Sequence, residues 1–311
     1  MNILLDYFFP ITSIEPTAQA STAFLKQVLV VVKPKVGAVE DTITLCTSTT
    51  AVDAFTTDNT EADQLFAAGM GRVYVVACDA LTGLGTILEG HESDFYTILI
   101  SSDYSDAEMD AAVFGDFEGV IGMASTDDTK NATRAAIANR VAFHSNSTNK
   151  AKNMFYAFGK LLSNSLSWRN QQYITMPLAD DVATLGDAEA LFDDKISFVI
   201  SDSEFGERLA LFAAGGKAIV APYIKKNLQI DLQSAALSYI SGNQPAYTKK
   251  QAALLEDELQ KVMQDYIEDE EIELGTVEIT LEAENFVASG SINISEPKAL
   301  WRIFGEMRQT L

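Results

Sequence analysis

Between residues 41 and 144 short apolar runs alternate with stretches whose apolar positions return every three or four residues. That alternation predicts a layered α/β fold, with parallel strands joined by right-handed helical crossovers. Strands are expected at 42–46, 72–77 (RVYVVA), 95–100 (FYTILI), 119–124 (GVIGMA) and 141–144. Helices are expected at 61–68, 106–114 and 130–138. Gly69 and Gly71 end the first, and Thr126 or Asp128 opens the last. The same grammar continues with a helix over 150–167, whose Met154, Phe155, Phe158, Leu161 and Leu162 share one side. A strand within 168–176, a helix over 187–193 and a strand at 195–200 (KISFVI) follow.

The pattern changes near the C-terminus. Over 249–269 Leu254, Leu255, Leu259, Val262, Met263 and Tyr266 recur at helical spacing, with Thr248 as N-cap and the acidic run 268–271 as the end. Gly275 resets the backbone, and 276–281 (TVEITL) switches to period two, which predicts a half-buried strand. A polar turn at 283–285 leads to a second strand over 286–295, with Gly290 a bulge or a point of close backbone approach. Val277, Ile279, Leu281, Phe286, Val287, Ile292 and Ile294 thus belong to a ribbon of two strands, and a ribbon that small needs further strands or a covering layer. Residues 297–311 crowd Leu300, Trp301, Ile303, Phe304 and Met307 beside Lys298, Arg302 and Arg308. A tail so apolar docks on its own domain or on a neighbouring copy. Its spacing suits a helix with Pro297 in the first turn.

The opening has the same ambiguity. An aromatic segment (ILLDYFFPI) and a small-residue spacer over 12–22 precede Val28, Leu29, Val30, Val31 and Val32, which Pro34 stops. This run is either a buried first strand or an extended arm lying on a neighbour.

Composition narrows the functions. A chain of 311 residues with 47% apolar content buries a substantial core, and a net charge of −22 argues against a nucleic-acid partner. No apolar run approaches the roughly 18 residues needed to span a bilayer. Ala18-Gln19-Ala20 imitates a leader cleavage site, but Asp6 and Pro10 interrupt the apolar segment and no basic region precedes it, so no leader is expected. Cys46 and Cys78 lie in apolar runs and are expected to be buried free thiols.

Catalytic chemistry has one candidate location. Open parallel sheets bind ligands beyond the C-terminal ends of their strands, where this sequence places Ser101, Ser102, Asp103, Ser125, Thr126, Asp127 and Asp128. Asp103, Asp127 and Asp128 offer the oxygen ligands Mg²⁺ prefers, which supports a metal-dependent cytosolic α/β enzyme as the alternative function. Asp and Ser are also common helix caps. Neither His91 nor His144 sits in a nucleophile motif, and Gly83-Leu84-Gly85 reads as a turn.

The ending NFVASGSINISEPKALWRIFGEMRQ (285–309) resembles the C-terminal region of contractile tail sheath proteins of bacterial viruses. The segment 65–71 with the strand after it, and the region 196–231, resemble parts of the same family. In that family a strand runs through a glycine-containing loop into a long helix near the tube-facing surface, an order that Gly215-Gly216-Lys217 and residues 223–240 fit. The resemblance implies Lys217, Lys225 and Lys226 as candidate tube-facing residues. It further implies terminal arms donated to neighbours, carried by Val28, Leu29, Val30, Val31 and Val32 and by Leu300, Trp301, Ile303 and Phe304. Family members usually end in a donated strand, against the helical spacing of this tail. The large inserted outer domains of many members, and their Trp- and Asn-rich inner signatures, have no counterpart here.

The expectation is therefore an α/β protein with a mixed sheet core and flanking helices, plus a C-terminal helix and a β-ribbon completed by strands from the terminal arms of neighbouring subunits. Its divisions are an N-terminal arm (1–40), an α/β outer domain (41–195), an inner sheath core (196–297) and a C-terminal arm (298–311). The function implied is that of a non-enzymatic tail sheath subunit in the virion, assembled in the host bacterial cytoplasm as stacked rings. It would contract to drive a tube through the host envelope. Its partners would be itself, the tail tube protein, and baseplate and tail terminator proteins, without nucleic acid, membrane insertion or cofactor.

Overall fold

A computed structural model describes residues 22–91, 93–145, 151–164, 166, 174–176, 183, 185–202, 206–243, 248–282 and 287–295. The chain divides into two compact units, one running to Asp231 and one starting at Leu232. This differs from the expected divisions at 40/41 and 195/196, because strands from both sides of those points pair within the first unit.

That unit is built on β1 (Val28–Val32), β2 (Thr44–Cys46), β3 (Val73–Ala77), β4 (Thr97–Ile100), β5 (Val120–Ser125) and β6 (Arg140–His144), in the order β2-β3-β1-β4-β5-β6. All neighbours are parallel except β2, which runs antiparallel on the edge beside β3, so the sheet is mixed, as expected of the core. Without β2 this is the doubly wound order 2-1-3-4-5.

β1 corrects the arm expected at 28–32. It pairs with β3 from Leu29↔Tyr74 to Val32↔Ala77 and with β4 from Val28↔Thr97 to Val31↔Ile100. Its five side chains are buried, none more than 3% exposed. A β-branched run with both edges paired and both faces covered is the hallmark of a central parallel strand. Val28, Leu29, Val30, Val31 and Val32 therefore form the heart of the chain's own sheet. Residues 1–21 lie outside the described residues.

One face of the sheet carries Leu29, Val31, Val76, Ile98, Ile100, Ile121 and Met123, packed with Leu81, Leu84, Leu88, Tyr104, Met109 and Phe114. Helices Thr60–Ala67 and Lys152–Ser163 lie against each other: a Cβ on Gly159 would come within 2.6 Å of the Ala68 Cβ. A Cβ on Gly122 of β5 would meet Leu99, Phe158 and Met154, so the Lys152–Ser163 helix covers the other face. Met154, Phe155, Phe158, Leu161 and Leu162 are all buried, as their spacing predicts. Cys46 and Cys78 are buried free thiols, and burial pushes both thiols up.

Caps set the helix starts. Ser105 and Glu108 form a reciprocal capping box at Asp106–Asp110, which stops short of the expected residue 114. Asp127, rather than Thr126 or Asp128, caps Asp128–Ala135 by accepting from the Thr129 and Lys130 amides. Gly83-Leu84-Gly85 passes from a 3-10 turn into the short helix Leu84–Leu88, where Gly85 lets the Gly115 backbone approach closely.

The first unit continues past β6. Ser197 bridges Phe143 and leads into β7 (Phe198–Asp202), which pairs antiparallel with β8 (Gly206–Leu211). Most of the strand expected at 168–176 lies outside the described residues, but Thr175 bridges Arg208. β9 (Ala213–Ala214) and β10 (Lys217–Ala218) form a hairpin around Gly215 and Gly216, whose φ of +55° and +76° suit a two-residue type I′ turn. Helix Ala221–Asn243 then carries the chain into the second unit. Its first turn is anchored on β4, where Tyr223 shares a 2.6 Å hydrogen bond with Thr97 and packs edge-on against Tyr96.

In the second unit, helix Lys249–Glu268 starts at Thr248, whose hydroxyl accepts from the Gln251 amide. Tyr239 binds the Gln251 side chain at 2.6 Å. β11 (Leu274–Glu282) and β12 (Val287–Ser295) pair antiparallel without interruption, Ile279 opposite Gly290, so Gly290 makes no bulge. Gly275 sits inside β11 rather than before it. It is a point of close approach, where a Cβ would fall 2.9 Å from the Met263 Cε.

Candidate functional site

The crevice where an open sheet of this order binds ligands lies beyond β1 and β4. Here it is occupied by the chain's own bonds. Glu61, projecting from the Thr60–Ala67 helix, is 8% exposed, and both its oxygens accept from the Ser102 amide at 3.1 and 3.2 Å. Burial raises its carboxyl above the usual range, while the Ser102 and Ser101 hydrogen bonds pull it back. The Ser101 hydroxyl accepts from the Asp103 amide, and burial likewise raises the Asp103 carboxyl. Tyr104 directs its hydroxyl to the carbonyls of Val32 and Cys78, and Lys33 pairs with Glu108 at 2.9 Å.

The ends of β5 and β6 are tied in the same way. The Ser125 hydroxyl donates to Asp106 at 2.9 Å, and Asp128 lies 2.9 Å from His144 Nδ1 and accepts from Asn131. Arg134, with a side chain only 5% exposed, bonds Asp110 through Nε and Nη2 and pairs with Asp106. Asp127 is engaged as the helix cap. Among the described residues no group of three or more His, Cys, Asp or Glu is placed to hold a metal ion. Asp103, Asp127 and Asp128 are thus not brought together as a ligand set.

The ribbon differs, because part of its hydrogen-bonding backbone faces no other strand among the described residues. Leu255, Leu259 and Met263 are buried along the Lys249–Glu268 helix, and Val277 and Ile272 are buried in the same unit. The register sets Val277 opposite Ile292 and Gly275 opposite Ile294, Leu281 opposite Ala288, and Val287 opposite Glu282. Alternation decides which amides point where. The Val277 amide donates to Gln260 Oε1 (3.1 Å), the Ile279 amide to Glu256 Oε2 (2.9 Å), and the Gly275 carbonyl accepts from Gln260 Nε2 (3.0 Å). Residues 275, 277 and 279 therefore direct their backbone groups away from β12, and their partners Ile292 and Ile294 direct theirs to the opposite edge. Among the described residues neither a strand nor a side chain meets that outer edge, and Ile292 is 38% exposed. Leu274, at the ribbon's end, is 66% exposed.

Glu256 and Gln260 were not singled out by sequence pattern. Their one signal is spacing, four residues apart and adjoining the Leu255–Leu259 seam. Phe286, Leu300, Trp301, Ile303 and Phe304 lie outside the described residues. Of the candidate basic residues, Lys217 and Lys225 are exposed, whereas the Lys226 ammonium pairs with Glu118 at 3.3 Å, with its side chain only 11% exposed. Burial lowers the Lys226 pKa, and Glu118 opposes that shift. Among the described residues no helix is long and apolar enough to cross a membrane.

No family model and no curated protein matches the sequence. Solved structures do match, over nearly the whole chain. One is from the baseplate of the anti-feeding prophage (TM-score 0.70, 11% identity, 97% of this chain and 99% of that one). Another is from the helical sheath of the same particle in its contracted state (TM-score 0.67, 10% identity, 96% and 99%). A third is a sheath tail protein from Desulfitobacterium hafniense (TM-score 0.53, 6% identity, 92% and 100%). From the central β1 to the ribbon, this chain has the fold of contractile tail sheath proteins.

Proposed function

We propose that this chain is a tail sheath subunit, a structural and non-catalytic protein that polymerises with copies of itself as stacked rings around a tube. The observation that carries the proposal is the match over 96% of the chain to a helical sheath. The open ribbon supplies a physical route to assembly. A two-stranded ribbon is marginal alone, and an added strand satisfies its outer backbone groups while covering Ile292.

The segment proposed to supply that strand is residues 298–311, with Leu300, Trp301, Ile303 and Phe304 as its apolar anchors. Charge favours it, since residues 249–282 carry eleven carboxylates against three lysines, whereas the segment carries three cations and one carboxylate. Ordering about ten residues costs roughly 1–2 kcal/mol each in backbone entropy. Paired hydrogen bonds, and roughly 1.5–3 kcal/mol for each fully covered large side chain, offset that cost. Strands exchanged in this way tether subunits while their bodies rotate and slide. A lattice trapped in an extended state above a better-packed one then stores the work that drives a tube through a host envelope.

Tail tube, baseplate and terminator proteins are the remaining partners in this reading. Lys217 and Lys225 are the candidates for tube contact, in a particle tail assembled in the host bacterial cytoplasm. Negative-stain microscopy of the purified chain tests the proposal. Tubes or stacked rings are expected, together with their loss when residues 298–311 are deleted while the body still unfolds cooperatively. A monodisperse particle at every concentration and salt tried, with or without a tube protein, overturns it.

A further inference from the structure

We infer that one edge of the ribbon is held shut by a side-chain clasp, so that a second copy of this chain adds its strand along β12 alone. The inference rests on the sheath reading for the identity of the incoming strand, but the clasp itself does not. Gln260 presents a carboxamide to β11 and uses both of its functions there, accepting from the Val277 amide at 3.1 Å and donating to the Gly275 carbonyl at 3.0 Å. A neighbouring strand's backbone offers the same donor and acceptor. Glu256, one helical turn earlier, takes the Ile279 amide at 2.9 Å through a charge-assisted bond. Three outward groups of β11, one each on Gly275, Val277 and Ile279, are thus satisfied from the helix Lys249–Glu268.

Helix packing holds the clasp in place. Leu255, Leu259 and Met263 are buried beside it, and Met263 rests where a Cβ of Gly275 would stand. A strand seeking the β11 edge has to break these bonds and displace the helix. At β12 it meets outward amides and carbonyls of Ile292 and Ile294 that no described residue occupies, beside an Ile292 side chain already in solvent. Natural sheets close unused edges because an open one pairs with any passing strand. The clasp gives the ribbon a single acceptor edge and so fixes the direction in which the lattice grows.

Amide hydrogen exchange on the full chain tests this in two states. In the free subunit, Val277 and Ile279 are expected to be protected. Glu256→Ala with Gln260→Ala should make them exchange at least about ten-fold faster, while Thr276 and Glu278, which face β12, change little. Equal exchange in both proteins refutes the clasp. In assembled protein, Ile292 and Ile294 should gain protection in the wild type. Wild-type protein that assembles with Ile292 and Ile294 exchanging as in the free subunit overturns the single-edge inference, whereas a double variant that regains protection at Val277 and Ile279 on assembly shows a strand entering at the edge the clasp had closed. A chain that never assembles defeats the sheath reading but leaves the free-subunit measurement to judge the clasp. Gln260→Met separates clasp from packing: it preserves bulk but loses both the acceptor for the Val277 amide and the donor to Gly275, and only the clasp inference expects faster exchange at Val277 from it.

Discussion

Val30→Ala distinguishes a body strand from a donated arm. Val30 is 1% exposed and stands between Val75 of β3 and Leu99 of β4. Truncation removes two methyl groups from a site walled by paired strands, where the surroundings cannot collapse to fill the space. The cost is about 2 kcal/mol, transfer and cavity terms together. For a unit of this size each kcal/mol lowers Tm by roughly 2–4 °C, so a fall of about 4–8 °C is expected. Circular dichroism melts read it, taken at two concentrations low enough to keep the subunit unassembled. The five β1 side chains together bury apolar surface worth on the order of 10 kcal/mol. That is comparable to the whole stability of a domain. Deleting residues 22–33 should therefore abolish cooperative unfolding, whereas deleting residues 2–21 should not. If Val30→Ala left Tm untouched and impaired only polymer formation, β1 would belong to a neighbour and the argument from its paired edges would fail.

Other consequences are local. The Glu61 carboxyl is raised by burial, so its contribution to stability is present below the ordinary glutamate range and lost as pH rises through the raised value. Glu61→Gln should match or exceed wild-type Tm at pH 7 and lose that advantage below about pH 4, and a variant less stable at every pH would contradict this. Arg134→Met should cost about 2 kcal/mol in denaturant melts by stranding Asp106 and Asp110, and a neutral result would show that those carboxylates are satisfied by water. Gly215→Ala should cost roughly 2–4 kcal/mol, combining a left-handed φ with a Cβ 2.8 Å from the Ala138 Cα. Gly216→Asn, where a Cβ meets only Lys195 at 3.8 Å, should cost less than about 1 kcal/mol.

Periodicity made most elements legible because each of them buries one face. The 3.6-residue spacing of Met154, Phe155, Phe158, Leu161 and Leu162, and the alternation in 276–281, follow from packing that a sequence records directly. Helix ends were less legible. Apolar spacing does not choose among three adjoining polar residues, Thr126, Asp127 and Asp128, and Asp127 takes the cap because its carboxylate reaches the Thr129 and Lys130 amides. The place of β1 was not legible either. Five consecutive apolar residues fit a strand buried between two partners wherever those partners come from, and nothing local says whether they belong to the same chain. The clasp was hidden for a related reason, since Glu and Gln on a helix ordinarily read as a solvated face.

The two candidate locations point in opposite directions, and the contrast bears on function. Beyond β1 and β4 the groups an enzyme would turn toward a ligand are turned inward: the Glu61 carboxylate to Ser102, the Ser101 hydroxyl to the Asp103 amide, and the Tyr104 hydroxyl to Val32. Each such bond ties a loop to the sheet it leaves. The crevice becomes a seam that ties the loops of the first unit to its sheet. At the ribbon the reverse holds, for among the described residues nothing pairs with the outward backbone groups of β12 and Ile292 is exposed, while Gly275, Val277 and Ile279 of β11 are bonded from the helix Lys249–Glu268. Closing every edge would remove the means of assembly, and leaving both open would invite pairing in either direction. Under the proposed sheath role, one open edge would give a directional joint between copies, and a lattice of such joints would be able to change its pitch without coming apart.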